Sequence, residues 1–182
     1  MRRPWDWELG AWDWFLETIE TTFDSRAFRR AVGQFVTGVT VIAIELDGEI
    51  RAMTANSFTS LSLEPPLVLF CLGKHTKAGQ LIHRASAFSV NILCEEQQDL
   101  SQYFAGAWKH SSPPAFTFSS WQSGAPRLDG SAVSLSCVTR DIHEGGDHWI
   151  VVGEVIAIHR RDDVTVPLVF FGGRYVSLKE LV

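Results

Sequence analysis

The sequence predicts a mainly β protein, a closed antiparallel barrel with helices at its rim. Two observations carry this. Six or more segments of strand length are rich in β-branched and apolar residues, and several are joined by short turn signals such as Asp47-Gly48 and Glu144-Gly145-Gly146-Asp147. Helical periodicity is confined to a few short stretches, so helices can only cap or flank the sheet.

Composition narrows the class. The chain has 182 residues, 46% hydrophobic and 20% charged, enough for one globular domain with a sizeable core. A net charge of -5 gives no basic footprint for nucleic acid, and Arg160-Arg161 is followed at once by Asp162-Asp163. The three cysteines each lie in or against an apolar run and show no Cys-x-x-Cys spacing, which argues against a disulfide framework or a zinc ribbon. No apolar run approaches the roughly 20 residues of a spanning helix. The acidic, tryptophan-rich start is unlike a secretory signal. The expectation is a cytoplasmic protein with no nucleic-acid or membrane partner.

Two units follow along the chain, an extension over 1–22 and a body over 23–182. In the extension, Trp5, Leu9, Trp12, Leu16 and Ile19 fall on one helical face, with Asp6, Glu8, Asp13, Glu17 and Glu20 around it. So aromatic a stripe should dock on the body, on a second subunit or on a partner. Asp24 or Ser25 caps a second helix carrying Phe28, Ala31, Val32 and Phe35, which Gly38 ends.

The sheet then begins. Val39 to Leu46 and Glu49 to Thr54 form a hairpin about Asp47-Gly48, and after Pro65-Pro66 the run Leu67 to Leu72 is a buried strand. A helix from Thr76 to Arg84, a strand from Ala87 to Leu93 and a helix from Glu95 to Ala105 come next. The stretch from Gly106 to Arg127, punctuated by Pro113, Pro114, Gly124 and Pro126, reads as a surface excursion. Ser131 to Arg140, His148 to His159 and Leu168 to Leu178 complete the sheet.

The most polar feature lies between two apolar segments. Thr54, Asn56, Ser57, Thr59, Ser60 and Ser62 present short donors and acceptors suited to a phosphate, a ribityl chain or an imide ring. The same residue types also gather in strand ends and turns for local reasons. Lys74-His75-Thr76-Lys77 leads into a helix, an arrangement suited to an anion and equally to a plain surface charge cluster. Six histidines show no metal-ligand spacing, and His143 and His148 are more simply turn residues. No Gly-x-Ser-x-Gly, Gly-x-Gly-x-x-Gly or P-loop pattern occurs, so the sequence signals neither hydrolase, Rossmann site nor P-loop.

Taken in order, Phe35-Val36-Thr37-Gly38-Val39-Thr40-Val41, Met53-Thr54-Ala55-Asn56-Ser57-Phe58-Thr59-Ser60, Pro65-Pro66, Phe88-Ser89-Val90-Asn91-Ile92-Leu93, Phe104-Ala105, Gly146-Asp147-His148 and Gly173-Arg174-Tyr175 resemble the flavin reductase family. The resemblance spans roughly residues 23 to 178. It implies a homodimeric split antiparallel β-barrel of Greek-key type that binds FMN or FAD and reduces it with NADH or NADPH. A diffusible reduced flavin would then serve a partner monooxygenase or halogenase.

By position, the resemblance places Thr54, Ala55, Asn56 and Ser57 along the flavin, with Ser60 and Ser62 close behind. Lys74, His75, Thr76 and Lys77 would reach its phosphate, Asn91 would brace or touch the site, and Phe104 and Ala105 would line it. His148, Arg174 and Tyr175 would border the nicotinamide. Hydride transfer between two cofactors asks for no catalytic acid or base and no metal. Two departures stand out: Ala52 replaces a usual glycine, and Trp108 to Phe116 lacks the family's charged and aromatic run. The rival readings are a flavoprotein that retains its flavin and reduces a corrinoid, ferric complex or quinone, and a flavin-binding module without turnover.

Overall fold

A computed structural model describes residues 24–121, 123–163 and 166–178. The predicted helix over 1–22 lies outside these. Helix α1, Ser25–Val32, starts at Asp24, whose side chain accepts from the Arg26 N–H at 2.8 Å. It ends at Gly33 rather than Gly38, because Gln34 and Phe35 bond back to Ala31 and Val32 in tighter turns, leaving Phe35 beyond the helix.

Strands β2, Thr40–Leu46, and β3, Glu49–Ala55, form the expected hairpin. Asp47 and Gly48 both take positive φ, 53° and 76°, as a two-residue turn of matching twist requires. Strands β4, Thr59–Leu63, and β5, Pro66–Gly73, form a second hairpin. The sequence reading gives these residues as a polar cluster, either a ligand surface or a strand end and turn, and expects no strand over 59–63. Helix α2, Lys77–Leu81, is capped by Thr76 and passes into a 3-10 turn over Ile82–Arg84. After β6, Ala87–Ile92, a 3-10 turn over Glu95–Gln97 leads into helix α3, Gln98–Phe104.

The excursion over Gly106 to Arg127 is not wholly irregular, since it contains the small pair β7, Phe118–Ser120, and β8, Pro126–Leu128. The long strands β9, Val133–Gly145, and β10, His148–Arg160, follow. The seven-stranded sheet has the order β3-β2-β6-β9-β10-β5-β4, antiparallel at every described pairing. The connection from β5 to β6 therefore crosses over two strands.

Two expectations change. The closed barrel read from strand patterns gives way to the split one that the family resemblance implies, because among the described residues no ladder joins the sheet's edges β3 and β4. Leu168 to Leu178 is not one more strand of that sheet. Gly172 and Gly173, both at positive φ, fold it into β11, Val169–Phe171, and β12, Arg174–Val176, which form a separate sheet with β1, Thr37–Gly38.

The curled sheet encloses one core around Ile42, Ile44, Phe70, Leu72, Phe88, Val90 and Val151, all buried. Phe70 and Phe88 meet edge to face at 5.1 Å. A second core of Val39, Val41, Leu93, Leu100, Leu128 and Leu168 seats α3 and the β7–β8 pair on the outside of the sheet. Burying each such aliphatic side chain contributes roughly 1.5–3 kcal/mol. Together the two cores hold the end of β3 rigidly between α2, α3 and β12.

Candidate functional site

The end of β3 is the meeting point of several cavities. On one side is a groove of about 310 Å³. Thr54, Ala55, Asn56 and Ser57 form one wall, Cys71 and Gly73 of β5 the floor, and His75, Thr76 and His148 the far rim. On the other side lies a cavity of about 150 Å³ between Thr54, Asn56, Ser101, Ala105, Phe170 and Tyr175. Asn56 also borders a third, apolar opening of about 380 Å³ walled by Phe35, Val36 and Phe58.

Local hydrogen bonds explain why the wall stands where it does. Ser57 Oγ accepts from the Cys71 N–H at 3.0 Å and donates to the Cys71 carbonyl at 3.1 Å, so one side chain substitutes for a ladder between the end of β3 and β5. Thr54 Oγ1 donates to the Ser101 carbonyl at 2.7 Å. Both hydroxyl protons are thereby committed to the protein, leaving Thr54 an acceptor toward any ligand. Asn56 Nδ2 makes one long contact to Thr37 Oγ1, at 3.3 Å, and among the described residues its Oδ1 has no partner. Its amide is the free polar group of the wall.

The far rim depends on a close approach. Thr76 Oγ1 donates to the Gly73 carbonyl at 2.8 Å and accepts from the Gly79 N–H at 3.0 Å. A Cβ on Gly79 would lie 2.1 Å from the Gly73 oxygen, so only glycine allows this turn. Lys74 is held elsewhere, its Nζ 4.4 Å over the Trp149 ring and 3.4 Å from Glu144. His148 Nδ1 lies 2.8 Å from Asp147 Oδ1. That hydrogen bond, helped by the charge of His148, holds the Asp147 carboxyl below its usual range.

Of the residues predicted from sequence, Thr54, Ala55, Asn56, Ser57, His75, Thr76 and His148 come together on the groove, and Ala105 and Tyr175 line the smaller cavity. Asn91 does not reach either. It is fully buried, with Nδ2 donating to Val41 O and Ser89 Oγ and Oδ1 accepting from the Leu128 N–H. It braces the β7–β8 pair instead. Phe104 packs among Tyr103, Phe116 and Phe118. Ser60 and Ser62 sit on the edge strand β4, Lys77 is exposed, and Arg174 is exposed at the start of β12.

Sequence reasoning missed Cys71, Ser101 and Phe170. Cys71 and Phe170 were hidden in apolar runs, and the only available signal was Ser101, a small polar residue between the packing positions Leu100 and Phe104. No group of three or more metal-ligating side chains occurs among the described residues. His143 is opposite Ile150 in the ladder, not His148.

Comparison with known proteins agrees with this geometry. The family model described as flavin reductase like domain matches residues 32–179. The reductase subunit HsaB of a flavin-dependent monooxygenase from Rhodococcus jostii (strain RHA1) is 38% identical over 159 residues, covering 86% of this chain and 79% of the relative. The solved flavin reductase PheA2 in its native state superposes with a TM-score of 0.79 at 39% identity, covering 86% of this chain and 99% of that one. The Streptomyces globisporus C-1027 NADH:FAD oxidoreductase SgcE6, solved in complex with NAD and FAD fragments, gives a TM-score of 0.77 at 38% identity, covering 85% and 93%. With a match this long, and with the split sheet and the grooved end of β3 in place, this chain belongs to the flavin reductase family.

Proposed function

We propose that the protein is an NAD(P)H-dependent flavin reductase that reduces FMN or FAD and releases it to a partner oxygenase or halogenase. The observation that carries this reading is a pair of unequal cavities meeting at Thr54 and Asn56. The smaller, at about 150 Å³, matches the volume known to admit a benzene-sized ring, so it suits a nicotinamide. The larger groove takes the flavin.

The residues present fit both ligands. The free Asn56 amide and the acceptor Thr54 Oγ1 face imide and carboxamide groups, while Ser57 keeps its wall in place. His75 and His148 stand at the polar end of the groove, where a ribityl phosphate would lie; Lys74 and Lys77 do not line it. When bound, the two cofactors supply the chemistry, a hydride passing from one ring to the other. The protein's task is to hold the rings in register and keep water from between them. No general base is required of the chain.

A homodimer in the cytoplasm completes the proposal. Leu63, Ile156 and Ile158 are exposed at 88%, 50% and 67%, apolar surface suited to burial against a second copy. Residues 1–22 lie outside the matched segment, and their Trp5, Trp12 and Leu16 are assigned to the same assembly. A chain beginning at Thr22 tests that assignment, since unchanged dimerisation would remove it.

Anaerobic stopped-flow with NADH or NADPH, with and without excess FMN or FAD, tests the activity. Turnover of a free flavin pool is the expected result. Tight flavin binding with no bleaching by either nucleotide would overturn it.

A further inference from the structure

We propose that Ser101 is a positioning residue that gives the smaller cavity its preference for a ring bearing a carboxamide, by fixing Tyr175 through its hydroxyl and Thr54 through its carbonyl. The assignment rests on the reading above, in which that cavity receives the nicotinamide.

Ser101 has no exposed surface, yet it is part of the cavity wall. A serine inside a helix ordinarily returns its hydroxyl to a carbonyl one turn earlier. Ser101 Oγ instead lies 2.8 Å from the Tyr175 hydroxyl, 74 positions away in sequence. Its carbonyl accepts twice, from the Ala105 N–H at 3.0 Å within α3 and from Thr54 Oγ1 at 2.7 Å on β3. One residue therefore ties together α3, β3 and β12 around the cavity. Tyr175 is further set by Phe170, edge to face at 5.3 Å, so the phenol and the ring have one orientation.

The proton inventory gives the cavity a definite polarity. Thr54 has a single O–H, directed to the Ser101 carbonyl, so its remaining valence toward the cavity is that of an acceptor. Ser101 and Tyr175 hold two O–H protons and use one between them, so the pair keeps one donor. A carboxamide presents the complement, an N–H pair for the acceptor and a carbonyl for the donor. A ring lacking that group leaves both unpaired, which is how a site of this size rejects an analogue.

Equilibrium titrations with NAD⁺ and with FMN, done separately on the wild type, Ser101→Ala, Tyr175→Phe and the double variant, test the assignment. Each single variant is expected to weaken NAD⁺ binding about three- to tenfold, the range for one lost hydrogen bond, with flavin affinity within about twofold. The double variant should lose more than either single one, because each single variant leaves one hydroxyl that can still donate to the ligand and the double leaves none. The Michaelis constant for NADH should rise in parallel, with that for flavin unchanged. Equal weakening of both ligands, or a double variant no weaker than either single one, would show a merely structural role and overturn the proposal. Should Ser101→Ala fail to fold, Tyr175→Phe alone breaks the same bond and is read in the same way. Wild type that binds FMN but not NAD⁺ overturns both this assignment and the functional reading; wild type that binds both, with variants unmoved, overturns the assignment of Ser101 alone.

Discussion

At the end of β3, Asn56 stands where three cavities meet and engages one partner at 3.3 Å, whereas Asn91 in β6 is enclosed and uses both its N–H groups and its oxygen on the protein. The surroundings repeat the contrast. Around Asn91, Ser89 Oγ bonds to the Pro126 carbonyl and Ser123 Oγ to Ser136 Oγ at 2.6 Å, a buried polar seam that fastens the β7–β8 pair to the sheet. Around Asn56 the hydroxyls fix the wall and leave one amide over. The two residues are of one type, and unfilled hydrogen-bonding capacity separates the asparagine of the binding surface from the asparagine of the polar brace.

Substitutions in the two regions should therefore separate stability from binding. The largest effect belongs to the seam. Asn91→Ala strands the Leu128 N–H and the Val41 carbonyl in the interior, and the expected loss is about 3 kcal/mol, or roughly 6–12 °C in melting temperature. A melt within a degree or two of wild type would mean that the seam does not hold the hairpin. Gly79→Ala comes next, because the methyl group would meet the Gly73 oxygen and push apart the turn that carries His75 and Thr76. About 1–3 kcal/mol of stability should be lost, and flavin binding should weaken by more than that change in folding explains. Retained flavin affinity would show that the loop does not touch the ligand.

The smallest effect is chemical and leaves the fold untouched. Burial pushes the Cys137 thiol up to about 12 and that of Cys94 up to about 11, so neither forms appreciable thiolate at pH 8. Cys71 is half-buried on the floor of the groove. Native protein should thus titrate one thiol with an aromatic disulfide reagent, denatured protein three, and excess flavin should slow the native reaction. Labelling that flavin leaves unchanged would place the ligand away from Cys71.

The sequence made the β2–β3 and β9–β10 hairpins readable because alternation, β-branching and the Asp47-Gly48 and Glu144-Gly145-Gly146-Asp147 turn signals act over a few residues. It also made the wall Thr54 to Ser57 readable, through the ordered motifs around it. The split between β3 and β4 was not readable from strand patterns and came only with the family resemblance, since whether two edges pair depends on curvature accumulated over seven strands. The fold of Leu168 to Leu178 was not read either, where Gly172 and Gly173 turn a largely apolar stretch back on itself. Asn91 was misplaced because its partners Val41 and Leu128 lie far off in sequence, and only the folded chain shows that its bonds are filled. Lys74 was drawn toward a phosphate by its charge, while Glu144 and Trp149, 70 and 75 positions distant in the chain, hold it instead.

The most direct test of the account is a flavin fluorescence titration of Asn56→Ala beside wild type, with thermal melts of both. The amide is the unfilled group of the wall, so flavin affinity should fall about five- to tenfold, the cost of one or two ligand hydrogen bonds, while the melting temperature stays within about 1 °C. Unchanged flavin affinity, or a loss accompanied by an equal fall in stability, would contradict the claim that the ligand binds where the chain leaves its polar groups free.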